Sequence, residues 1–171
     1  KSETVSFEIP VHAYQGSWID ESNLLVQGGR QLETNWYNTY PLLVVSLENE
    51  IPKVTEWHPD IDHYGISPDG RHVVATIRRG AVGQSVCWKV GRPKPLWTAS
   101  GFFVGFGEEG WMLTHDRGGT ATIRSVETGA AMWEQPEVMV ALTKGQDIWL
   151  FFEQRFQAWK AKWRNDGRPA E

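Results

Sequence analysis

The sequence predicts an all-β chain built from about four copies of one four-stranded unit, and three observations carry that reading. A hairpin with turn chemistry at its tip recurs along the chain. Tryptophans close successive units at nearly constant spacing. Ten of the 171 residues are tryptophan, a load of large rings that either fills a β-rich core or lines a binding surface.

The best-formed hairpin is Tyr64 to Ile77, YGISPDGRHVVATI. Pro68 presets φ at the second turn position, Asp69 bonds back to nearby backbone, and Gly70 tolerates the positive φ that reverses the chain. The same pattern of turn followed by apolar strand recurs three more times. Trp18 to Asn23 precedes LLVQ, Gly107-Glu108-Glu109-Gly110 precedes WMLTH, and Thr143-Lys144-Gly145-Gln146 precedes DIWLFF. A third strand follows in each unit, at residues 40–48, 84–90, 120–126 and 155–161. Outer strands end on Trp57, Trp97 and Trp133, in steps of 40 and 36 residues. Two independent markers in step define a structural repeat.

A unit of inner strand, turn, second strand, loop, third strand, turn and outer strand resembles the blade of a WD40-type β-propeller. ISPDGRHVVAT is similar to that family's inner hairpin, and RSVETGAAMW to its turn between third and outer strands. The TGxxxW pattern also resembles propellers of the pyrroloquinoline-quinone group. No unit carries the Gly-His pair or the Trp-Asp dipeptide of the WD40 family. The resemblance implies a β-propeller or part-propeller of about four four-stranded blades, occupying residues 1–171 as a single domain.

The ends bear on closure. Only Arg168 to Glu171 remain for the outer strand of the last unit, whereas Thr4 to Ile9 (TVSFEI) alternates as a strand should and belongs to no full unit. Residues 1–10 are therefore expected to close a ring or to belong to a preceding blade. The expectation leans to a segment of a larger propeller. Phe152, Phe156, Trp159 and Trp163 also fall at helical spacing, but FQAWKA parallels SVCWKV in the second unit, so a strand is expected there.

Composition narrows the partners. A formal charge of −4 gives no electrostatic reason to expect nucleic acid, and no apolar run approaches the length of a membrane span. The expectation is a soluble, cytoplasmic protein with no nucleic-acid or membrane partner. One cysteine, Cys87 in SVCWKV, excludes an internal disulfide framework and reads as a small buried hydrophobe.

Several stretches invite chemistry. Gly105 to Gly110 spells G-x-G-x-x-G, but a strand rather than a helix follows it, which leaves a tight hairpin. His58, Asp60, Asp62 and His63 are metal-ligating types packed into one stretch. They lack a spaced partner elsewhere, so a solvated loop is expected, with no metal and no cofactor. His115 and Asp116 are adjacent on a strand end and so point to opposite faces. No motif supports catalysis, and the chain is expected not to be an enzyme.

The connection from Gly28 to Pro41, GGRQLETNWYNTYP, is far longer than RRGAVG or DRGG in other units and holds Trp36, Tyr37 and Tyr40. Rigid aromatics and arginines dominate binding hot spots. The leading expectation is a non-enzymatic protein-protein interaction module or scaffold. Its docking residues would be Trp36, Tyr37, Tyr40, Arg78, Arg79 and Arg117, with a partner protein or the remaining blades of a larger assembly. Alternatives are a carbohydrate-binding propeller that stacks sugars on Trp, which needs a loop Trp in each blade, and a quinone- or metal-using enzyme fragment.

Overall fold

Turn residues cut the chain into short antiparallel strands. The computed structural model describes residues 12–29, 40–48, 52–79, 82–108, 110–152, 157–163 and 169–170. Among them, β1 (His12–Trp18), β2 (Asn23–Gly29), β3 (Tyr40–Ser46) and β4 (Lys53–Ile61) form one sheet. A second sheet holds β5 (Tyr64–Ile66), β6 (His72–Arg79), β7 (Val82–Lys89) and β8 (Pro95–Ser100). The third holds β9 (Phe102–Phe106), β10 (Trp111–His115), β11 (Ala121–Ser125) and β12 (Ala131–Gln135). The fourth holds β13 (Val138–Lys144), β14 (Asp147–Phe152), β15 (Gln157–Trp163) and β16 (Pro169–Ala170). Every sheet is a meander with its strands in chain order. The chain divides into two compact units, Lys1–Ile61 with the first sheet and Asp62–Glu171 with the other three.

The hairpin turns do what their residues require. In the second sheet Gly70 adopts φ 70° and its N–H donates to the Ser67 carbonyl at 2.8 Å. Asp69 Oδ1 accepts from the Ser67 hydroxyl at 2.5 Å and from the Arg71 N–H at 3.0 Å, and these bonds hold the carboxyl below its ordinary range. In the first sheet Asp20 accepts from the N–H groups of Ser22 and Asn23, both at 2.8 Å. The nominal G-x-G-x-x-G is the hairpin between β9 and β10, with Met112 opposite Phe106.

At the C-terminal end the ladder overrides the helical stripe. β15 pairs with β14 from Asp147↔Lys162 to Phe152↔Gln157. Lys160 sits opposite Trp149, its Nζ 4.5 Å from that ring and 2.7 Å from Asp147 Oδ2. β16 is two residues long and pairs with β15 through Lys162↔Ala170 and Trp163↔Pro169. One expectation is corrected: His58 and Asp60 lie within β4, not on a loop. β3 starts at Tyr40 and offers a partner that far, and two register shifts accommodate Pro59 on what is an edge strand. The TVSFEI segment lies outside the described residues.

In the first unit Val26, Leu43 and Val45 form a buried cluster with Leu24, Leu47 and Val54 packed against it. In the second unit the β9–β12 sheet is buried on both faces. Met112, Phe103 and Val126 join Val74 and Cys87 of the second sheet, whereas Trp111, Leu113, Ala121 and Ile123 join Val138, Ala141, Ile148 and Leu150 of the fourth. Two buried faces explain why WMLTH is a continuous apolar run rather than an alternating one.

Hydrogen bonds also tie these sheets to one another. The Phe103 N–H donates to Thr76 Oγ1 at 2.9 Å, the Ser85 hydroxyl to the Gly101 carbonyl at 2.9 Å, and the Gly101 N–H to the Gly83 carbonyl at 3.0 Å. His115 Nε2 donates to the Val138 carbonyl at 2.7 Å, which links the third sheet to the fourth. From β8, Trp97 Nε1 donates to the Val126 carbonyl at 2.8 Å, and its indole lies over Gly129. A Cβ at Gly129 would stand 2.6 Å from the ring, and the residue also holds φ +71°. Arg124 Nη1 donates to the Gly129 carbonyl at 3.2 Å and fixes the turn from behind.

This clasp predicts an ordered pair of effects. Gly129→Ala combines a left-handed backbone with overpacking and should lower unfolding free energy by about 2–4 kcal/mol. Trp97→Phe keeps a ring but loses the donor and should cost about 1–2 kcal/mol. Urea denaturation followed by tryptophan fluorescence measures both.

Candidate partner-docking site

Three of the arginine and acidic residues singled out by sequence meet at one end of the second and third sheets. Extending the hairpin register from Ile66↔Val73 by four residues brings Asp62 opposite Ile77, one place from Arg78. The backbone continues the ladder there, with the Asp62 N–H donating to the Thr76 carbonyl at 2.8 Å. Arg78 then reaches Asp62 Oδ2 with Nη2 at 2.8 Å and Nε at 2.9 Å. Both side chains are partly exposed, 35% and 25%. An ion pair of that exposure contributes little stability, so its main effect is to orient the guanidinium.

Phe102, the first residue of β9, joins this pair to Arg117. Arg78 Cζ lies 5.8 Å from the Phe102 ring centroid and Arg117 Cζ lies 6.0 Å from it. The ring rests on Gly83, where a Cβ would sit 2.7 Å from three ring carbons. Arg117 stands in the turn between β10 and β11, whose backbone is set by Asp116 Oδ1 accepting from the Thr120 N–H at 2.8 Å. Arg117 is exposed and has no ion pair among the described residues. The site thus offers one neutralised arginine, one uncompensated arginine, and an aromatic ring between them. Such a set matches a carboxylate-bearing surface, because a guanidinium grips a carboxylate through two parallel N–H groups.

The remaining candidates fall elsewhere. Trp36 and Tyr37 lie outside the described residues. Tyr40 is half-buried at the start of β3, opposite Ile61 of β4. Arg79 is the last residue of β6. Of the metal-ligating types, His58 Nδ1 accepts from the Asp60 N–H at 3.2 Å in the first unit. In the second, Asp62 is held by Arg78, and His63 Nε2 donates to the Phe103 carbonyl at 2.5 Å. No group of three or more His, Cys, Asp or Glu among the described residues is arranged to hold a metal ion. Trp57, Trp97 and Trp133 lie on the outer strands β4, β8 and β12, and the last two pack into cores. Sequence reading missed Phe102; a ring beside Gly101 at a strand start was the available signal.

Solved structures of the same architecture are known. A functionally unknown protein from Desulfotomaculum acetoxidans DSM 771 matches with a TM-score of 0.58 at 13% identity, over 96% of this chain and 56% of its own. The WD40 repeats of RRP9 match at 0.53 and 10%, over 89% of this chain and 54% of theirs. The C-terminal WD40 domain of Sif2 matches at 0.50 and 12%, over 90% of this chain and 51% of its own. The fold is that of a WD40-like β-propeller. At these identities the likeness speaks for fold alone, and the chain spans about half the length of the structures it matches. No protein-family model matches the sequence, and no curated protein does either. In WD40-like terms the Arg78–Phe102–Arg117 cluster sits where one blade hands over to the next. No helix among the described residues is long and apolar enough to cross a membrane.

Cys87 lies between these two blades. It is fully buried, and its Sγ faces the Val126 carbonyl at 3.8 Å. Burial, reinforced by the charge of Glu127, pushes its thiol up from 9.0 to about 12. A raised folded-state pKa stabilises the fold fully below the unfolded value and is lost as pH climbs through the window. Wild type should therefore lose about 1.4 kcal/mol per pH unit relative to Cys87→Ala between pH 9 and 12. Parallel urea titrations at stepped pH measure the difference.

Proposed function

We propose that this WD40-like chain is a non-enzymatic interaction module that docks an acidic surface of a partner protein on the Arg78, Phe102 and Arg117 cluster. The observation that carries the reading is the exposed Arg117, braced on the Phe102 ring and left without an acidic partner among the described residues. A guanidinium held against a ring has lost part of its freedom before binding, so less entropy is lost on docking. The long aromatic connection with Trp36 and Tyr37 supports the same reading from the sequence, since rigid rings supply contact area at low entropic cost.

A second surface supports assembly with further blades. β13 buries Val138 and Ala141 but exposes Met139, Val140 and Leu142, at 56%, 40% and 50%. Apolar residues grouped this way on one strand mark contact surfaces. On this reading the partner is another sheet packed on the fourth, and light scattering should report a mass above the 19.5 kDa of one chain. A clean monomer would remove it.

The docking cluster is tested by charge reversal. Arg117→Glu should reduce capture of partners from an extract of the source cell at least tenfold without changing the melting temperature. Lys94→Glu, an equal charge change in the turn before β8, should leave capture unchanged. Equal loss with both variants sinks the reading.

A further inference from the structure

The opposite end of β6 carries a buried imidazole. His72 opens the strand and Arg78 lies six residues on, about 20 Å away at strand rise. Both backbone groups of His72 are pinned, its N–H donating to Ser67 Oγ and its carbonyl accepting from the Ser67 N–H, each at 2.9 Å. From this fixed origin the ring reaches the third sheet, where Glu127 Oε2 stands 3.3 Å from Nε2. The turn that carries Glu127 is held as well, since Trp97 Nε1 donates to the Val126 carbonyl at 2.8 Å and the Val126 N–H to the Gly110 carbonyl at 2.9 Å. An acidic cavity of about 300 Å³, lined also by Asp69 and Glu108, opens beside the pair.

The contact is one of charge rather than of hydrogen bonding. The His72 side chain is only 7% exposed, and Glu127 is close enough to Nε2 for an ion pair but out of line for a hydrogen bond. With the ring neutral, little in that geometry draws the carboxylate in. With the ring protonated, opposite charges stand 3.3 Å apart across two sheets. The other charged groups around the ring are Asp69 and Arg71 of its own turn, Glu108 of the β9–β10 turn, and Lys89, its cross-strand partner on β7. Asp69 is held below its ordinary range first by the Ser67 hydroxyl, and also by the Arg71 N–H and the charge on His72. The Cys87 thiol, which feels Glu127 too, is pushed up to about 12. Carboxyl groups titrate below the span from about pH 5 to 8, and lysine and arginine above it, which leaves the imidazole as the member of this set whose charge changes there.

We propose that His72 and Glu127 form a proton-operated latch between the second and third sheets, closed in mild acid and released as the imidazole loses its proton. The attraction exists only while the ring is charged and the carboxylate ionised, so it stabilises the sheet contact near pH 5.5 and is lost towards pH 8. Closure ties the Ser67 turn to the Glu127 turn and stiffens the hairpin tips that frame the cavity. The latch shares no residue with the Arg78–Phe102–Arg117 cluster, so either can fail without the other.

The test is urea unfolding of the intact chain at pH 5.5 and 8.0 for wild type, His72→Gln, Glu127→Gln and the double variant. Glu127 is largely exposed, so solvent screens the pair and the effect is modest. Glu127→Gln should raise the unfolding equilibrium constant about threefold at pH 5.5 and by no more than about 1.5-fold at pH 8.0. In the His72→Gln background it should act equally at both pH values, and about 1 M NaCl should shrink the pH 5.5 effect in the wild-type background. Glu134→Gln, an equal charge change on the exposed face of β12, should act equally at both pH values. The latch is overturned by an effect of Glu127→Gln that is the same at both pH values, or larger at pH 8.0, or still pH-dependent once His72 is gone. If His72→Gln does not fold, the comparison of Glu127→Gln with Glu134→Gln decides alone.

Discussion

The β9–β12 sheet is buried on both sides, and the second unit depends on that constraint. A strand such as β10 must present Met112 to one neighbour and Trp111 and Leu113 to the other, so neither adjoining sheet can slide without exposing apolar surface. The hydrogen bonds through Thr76, Ser85 and Gly101 then convert that apolar contact into a fixed register. Dispersion and burial hold the sheets together, while the hydrogen bonds decide where they stop.

Because the sheets stack in a fixed register, their hairpin tips collect at two ends, and the ends differ in charge. One gathers Arg78 and Arg117 around a ring, with a single carboxylate that orients the first. The other gathers Asp69, Glu108 and Glu127 around a buried imidazole. The two ends therefore differ in local charge, and a difference of this kind sets up different potentials at the two ends. His63 and His115 spend Nε2 on backbone carbonyls, and the thiol of Cys87 is buried in a core.

Much of this architecture was legible in the sequence because turn chemistry and strand length are local properties. Ser67-Pro68-Asp69-Gly70 alone fixes the β5–β6 register, and carrying that register outward places Asp62 beside Arg78 with no further information. Other features arise from distant parts of the chain. The extension of β4 through Pro59 depends on where β3 begins, and the seat of Phe102 depends on a glycine nineteen residues earlier on another sheet. The acidic cavity is assembled from three turns, each of which reads alone as ordinary solvated turn chemistry. The WD40 resemblance held for the fold despite the missing Gly-His and Trp-Asp pairs, because packing of the blades rests here on other residues.

Two of those residues act as keys cut in opposite directions. Trp97 leaves the second sheet and enters the space above Gly129 of the third, while Phe102 leaves the third and enters the space above Gly83 of the second. Each sheet therefore carries both a key and a keyhole for one particular neighbour. Repeat proteins whose units share one generic interface tolerate shuffling, duplication and loss of units. Here a transplanted sheet would set an indole or a phenyl ring against a Cβ, or leave a glycine hollow unfilled. The order of these two sheets is thereby written into the packing itself, and a larger residue at either glycine would need the opposing ring to give way.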